Sequence, residues 1–172
     1  MTVCDHPMLS FDTGENVCMF FPYGCGEVYT TEKNKELHNL QRYPSYGVSM
    51  QYMAFYNKRT KRGIYYGIHD TAPAYKEFSF SKKAGEKFMS MVVGQPLTHI
   101  DRGCNSQSLC GKCVWKMFDG DWYDAAVIYR EWAEKEAEFL KRDRKEPEWF
   151  TKAPHWWLVH INEDAAFADD II

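Results

Sequence analysis

The sequence predicts a mainly β protein: a series of antiparallel strands, then one long amphipathic helix, then an isolated buried strand. Three observations carry this. Tyr46–Tyr56 and Ile64–Ile68 are runs of strand formers joined by the polar, basic turn Asn57–Gly63, which is the pattern of a β-hairpin. From Trp122 onward the apolar residues change to helical spacing behind Asp121, a good N-cap. Pro154 then introduces His155–Ile161, a Trp-rich apolar run of strand length.

Taken in order, residues 1–16 mix Pro7, Gly14 and polar side chains and read as a loose lead-in. Val17–Phe21 is a short strand, ended by Pro22 and the glycines of Gly24-Cys25-Gly26. Glu27–Thr31 resumes as a strand, and the polar segment Glu32–Asn39 reads as loop. Pro44 introduces the hairpin. Both hairpin runs are apolar or aromatic on both alternating faces, so the pair belongs inside a sheet and not at its edge. After the Thr71–Pro73 turn, Tyr75–Phe80 sets Tyr75, Glu77 and Ser79 against Lys76, Phe78 and Phe80, a half-buried strand. Lys82–Gly85 is a turn, and Lys87–Val93 is a strand ended by Gly94 and Pro96. Leu97–Ile100 is extended, Arg102–Lys112 is a polar loop, and Val114–Phe118 is a further strand.

The helix follows. Trp122, Ala125, Ala126, Tyr129, Trp132, Ala133 and Leu140 fall on one face over about five turns. Asp124 favours the positive helix end, and Pro147 stops the charged stretch Lys141–Glu146. The strand His155–Ile161 has no sequence neighbours left to pair with, which suggests a second domain that begins there. The organisation is therefore strands over residues 1–118, helix and linker over 119–150, and the start of another domain over 151–172.

A high aromatic share, 16%, suits either a β core or a groove for a flat ligand such as a sugar. Net charge is −3, and the densest basic run, Lys58–Arg62, sits in a turn, so nucleic acid is disfavoured as a partner. No run approaches the roughly 18 apolar residues of a membrane span. The start Met1–Pro7 lacks the features of a signal peptide, which favours an intracellular chain. Cys4, Cys18, Cys25, Cys104, Cys110 and Cys113 are then expected to be free thiols. Cys110 and Cys113, with Cys104 and His99 nearby, resemble an incomplete zinc site. A structural site needs four ligands, so no metal and no cofactor are expected. Nor does a thioredoxin-type βαβ unit surround the Cys110–Cys113 pair.

Four segments carry a resemblance: Tyr43-Pro44-Ser45, Ser49–Tyr56, Gly63–Asp70 and Gly120–Ala133. In this order and spacing they resemble a group of glycoside-hydrolase-like proteins. In that group a β-sandwich of the galactose-mutarotase type precedes a (β/α)8 barrel, joined by a helical connector. The similarity runs from about Val17 to the end, and the cysteine-bearing loop Arg102–Lys112 departs from it. The resemblance implies an antiparallel β-sandwich portion, a connector helix, and the first strand of a truncated (β/α)8 barrel at His155–Ile161.

Such barrels react at the C-terminal ends of their strands, with carboxylates drawn mostly from later strands. The chain is accordingly expected to be a non-catalytic N-terminal portion of a carbohydrate-active enzyme. Its implied partners are carbohydrate and the remainder of the barrel. His69 and Asp70, at the hairpin exit, and Asn162, Glu163 and Asp164, after the barrel strand, are the candidate substrate-binding residues. Against this, Asp70 can simply cap the following turn, His69 can be a packing residue, and 162–164 can be an acidic loop. Trp156 and Trp157 point to opposite sides of a strand and read as core. Two other classes compete: a free-standing carbohydrate-binding module, and a zinc-stabilised structural or interaction domain.

Overall fold

The computed structural model describes residues 3–32, 34–45, 47–97, 103, 106–137 and 152. Its strands and helix belong to one compact unit, Met1–Arg142. Two five-stranded antiparallel sheets make up this unit. In the first, β1 (Val3–Asp5) and β2 (Leu9–Asp12) both pair with β9 (Phe88–Pro96), followed by β8 (Lys76–Lys82) and β5 (Leu37–Tyr43). The second runs β10 (Lys112–Asp119), β7 (Arg62–His69), β6 (Tyr52–Asn57), β3 (Val17–Phe21), β4 (Glu27–Thr30). The predicted class is what is found: a mainly β, antiparallel sandwich with a single helix among the described residues.

Side chains alternate across a strand, so each sheet sends every second residue inward. Met19, Phe21, Met53, Phe55, Tyr66 and Ile68 of the second sheet meet Phe78, Phe80, Met89, Met91 and Val93 of the first. The opposite face of the second sheet is covered as well. There Phe20, Tyr52, Ala54 and Tyr65 lie under Ala125, Tyr129, Trp132 and Ala133 of α1 (Trp122–Glu136). Burial on both faces explains why Tyr52–Tyr56 carries no polar alternation: all five residues are buried. The hairpin β6–β7 does lie inside its sheet, flanked by β3 and β10.

The start of α1 is fixed locally. Asp121 Oδ1 accepts from Tyr123 N at 3.0 Å, and Asp124 Oδ2 accepts from Asp121 N at 2.9 Å. Gly120 enters this cap at φ +123°, and the Asp124 carboxylate fills the space where a Cβ would sit. Gly120 N also donates to Lys61 O at 2.6 Å, which ties the helix entrance to the β6–β7 turn.

Several expectations are corrected. The lead-in contains β1 and β2, short strands whose signal lies in their distant partner β9. The loop expected over Glu32–Asn39 contains the start of β5. Its inward positions include Asn39 and Gln41, joined at 2.9 Å, while Leu40 faces solvent. That inversion of polarity hides the strand. The first hairpin strand begins at Tyr52, since the segment before it bends and its ladder pairing is an isolated Tyr23–Val48 bridge. The helix stops at Glu136, and Ala137 already has extended backbone. The barrel strand expected at 155–161 lies outside the described residues.

Candidate functional site

Between His69 and Lys76 the chain leaves the second sheet and enters the first, so it crosses one end of the sandwich. Asp70 organises that crossing. Its carboxylate accepts from Ala72 N at 3.0 Å, Ala74 N at 2.8 Å and Lys76 Nζ at 2.6 Å. The ion pair is buried, with side-chain exposures of 0% for Lys76 and 5% for Asp70. Burial alone would raise the Asp70 pKa, but the bonds from Lys76, Ala74 and Ala72 outweigh it and hold the carboxyl below its ordinary value. The Lys76 pKa is lowered as well, which for a lysine disfavours the charged form. Burial lowers its pKa despite Asp70, because it has fewer compensating partners: Asp70 and Ala74 O at 2.8 Å. The aromatic face of Tyr43 lies 5.4 Å from the ammonium.

Gln51 holds the same corner, donating from Nε2 to Asp70 O at 2.9 Å. Its Oε1 and the neighbouring Tyr52 hydroxyl are buried without a hydrogen-bond partner among the described residues. His69, half-buried at the end of β7, stacks on Trp132 of α1 with centroids 4.4 Å apart and planes at 16°. The Tyr65 hydroxyl meets His69 Nε2 at 2.8 Å. Burial pushes the His69 pKa down to about 4, so the ring is neutral at ordinary pH.

A second clasp lies at the β9–β10 connection. Gln95, buried, accepts from Cys110 N at 2.8 Å and donates to Cys110 O at 2.6 Å. The same Nε2 reaches His6 Nε2 at 3.0 Å. With the amide orientation set by Cys110, the His6 nitrogen must accept, which requires a neutral ring. Burial, with the Lys76 charge adding to it, lowers the His6 pKa accordingly.

Of the predicted residues, His69 and Asp70 are adjacent in this corner, with Asp70 engaged internally and His69 turned onto the helix. Asn162, Glu163 and Asp164 lie outside the described residues. Lys76, Gln51, Gln95 and His6 were not singled out from the sequence. Only Lys76 left a signal there, since it falls on the apolar face of Tyr75–Phe80. Hollows lie elsewhere among the described residues. One, of about 320 Å³, is lined by Phe11, Val17, Phe55, Ile64 and Met117 with Asn57 and Arg62. Another, of about 340 Å³, runs along α1 beside Met50. Among the described residues no group of three or more His, Cys, Asp or Glu side chains is placed to hold a metal ion. No described helix is long and apolar enough to cross a membrane.

The fold and corner define a two-sheet antiparallel sandwich backed by one helix and pinned at one end by buried polar pairs. A family model described as a domain of unknown function, DUF6259, matches residues 107–171, from just before β10 through α1 and beyond. No curated protein and no solved structure matches the chain.

Proposed function

We propose that the chain is the non-catalytic sandwich-and-connector portion of a carbohydrate-active enzyme, a glycoside hydrolase of the class it resembles. The observation that carries this is the two-sided character of α1. One side is buried on Phe20, Tyr52 and Tyr65. Beside it, Met50, Tyr123, Ala126 and Val127 line an apolar hollow, and Trp122 and Tyr123 are 43% and 56% exposed. A helix anchored to a sandwich on one side and apolar on another is suited to carry a second body. In this reading the sandwich supports the catalytic barrel, and His69, at the sandwich end under α1, is the described residue best placed to reach a sugar hydroxyl.

The test is turnover by the purified chain on a panel of aryl glycosides and oligosaccharides. No hydrolysis is expected. Turnover abolished by Glu163→Gln or Asp164→Asn would overturn the reading.

One observation favours a carbohydrate-binding module instead: Trp115 on β10 is 48% exposed and offers a flat face. Calorimetric binding of an oligosaccharide, lost in Trp115→Ala and kept in His69→Ala, selects that alternative.

A further inference from the structure

Cys110 and Cys113 have no part in the proposed support of a catalytic barrel. Both are free and exposed. Cys113 lies opposite Ile68 in the β10–β7 ladder, and Ile68 is part of the inter-sheet core. Residues paired across a ladder point to the same face, so the Cys113 side chain leaves β10 toward the first sheet. Cys110 is held by another route. Gly111, at φ +85°, turns the chain off the end of β10. A Cβ there would meet Asp70 Cβ at 2.8 Å and Ile68 Cγ2 at 2.9 Å, so the turn needs glycine twice over. Beyond the turn, both backbone groups of Cys110 are held by the Gln95 side chain, which belongs to the first sheet. Two exposed thiols, separated only by Gly111 and Lys112, therefore flank a backbone bend that is fixed from both sheets.

We propose that Cys110 and Cys113 form a reversible intramolecular disulfide, closed by exchange with a low-molecular-weight disulfide such as oxidised glutathione. The Cys110 thiolate attacks one glutathione sulfur, forming a mixed disulfide and expelling one glutathione thiolate. The Cys113 thiolate then attacks the Cys110 sulfur, forming the Cys110–Cys113 bond and releasing the second glutathione thiolate. Two cysteine thiols are oxidised, one glutathione disulfide is reduced to two thiols, and the two cysteine protons pass to solvent or to those thiolates. Cys110 is taken as the first nucleophile because burial raises the Cys113 pKa and makes that thiolate scarcer. The Gln95 clamp already restricts the backbone of one partner, which reduces the entropy lost on closure.

The experiment is equilibration of the purified full chain in reduced and oxidised glutathione mixtures, followed by acid quench, alkylation and peptide mass analysis. The expected result is a peptide carrying both cysteines linked to each other, short of two hydrogens, and reopened by dithiothreitol. Cys110→Ser and Cys113→Ser should each leave only a mixed glutathione adduct on the remaining thiol. Gln95→Leu should lower the closure constant about tenfold, by releasing the restrained bend; circular dichroism checks that this variant is folded. Thiols that stay reduced across the range overturn the proposal. So does a link to Cys104 or between chains, or protection of both thiols by one zinc per chain that a chelator releases.

Discussion

Removing the Asp70 charge alone should cost far more than removing both charges of the Asp70–Lys76 pair. Asp70→Asn leaves the Lys76 ammonium, 0% exposed, with Ala74 O and a neutral amide for company. An uncompensated buried charge of this kind costs about 3–5 kcal/mol. Lys76→Met removes the cation but leaves the carboxylate its two backbone donors, Ala72 N and Ala74 N, so a smaller loss of about 1–3 kcal/mol is expected. In the double variant neither charge is stranded, the methionine extends the Phe78–Phe80 core, and the loss should be about 1–2 kcal/mol. The coupling energy is then at least about 2 kcal/mol, a large share of a domain stability of roughly 5–15 kcal/mol. Urea unfolding of the four proteins, followed by tryptophan fluorescence at pH 7, measures the cycle. Additive single losses, within about 0.5 kcal/mol, would refute the claim that the two groups meet in a water-excluded corner.

Four further outcomes follow from the same structure. Because His69 binds a proton less readily folded than unfolded, stability should fall as pH drops from 7 through 6.5 toward 4, by about 1–3 kcal/mol after allowing for its partial exposure. His69→Phe, which keeps the stack on Trp132, should flatten that limb in urea titrations at pH 7 and 4.5. Gly120→Ala should lower Tm by about 5–10 °C in a thermal melt, since it strains a φ of +123° and displaces the Asp124 half of the helix cap. Tyr52→Phe should be neutral or stabilising by up to about 1 kcal/mol, because the hydroxyl it removes is buried without a partner among the described residues. Tyr66→Phe, which gives up a 3.1 Å bond to Pro7 O, should be destabilising in the same chemical denaturation assay.

What could be read from the sequence, and what could not, divides along one physical line. Elements whose signal is local were legible. The β6–β7 hairpin announces itself by aromatic runs around Asn57–Gly63, and α1 by Asp121, Asp124 and the spacing of Ala125, Tyr129 and Trp132. Elements defined by distant partners were not. β1 and β2 become strands only because β9 offers them an edge, and β5 turns its amides inward where Asn39 can reach the Tyr29 hydroxyl at 3.2 Å. The corner at His69 and Asp70 shows both cases in two adjacent residues. That Asp70 would serve the following turn is a local inference, and it holds in the bonds to Ala72 and Ala74. That its charge would be taken up by Lys76 is half-written in the alternation of β8, where a lysine occupies a position otherwise given to phenylalanine. That His69 would stack on Trp132 is written nowhere nearby, since it depends on where α1 lands after the β10 turn. A strand-end histidine and aspartate thus look alike in sequence yet separate in the fold. The carboxylate is committed to holding the sheets together, and the imidazole is left at the boundary between sandwich and helix.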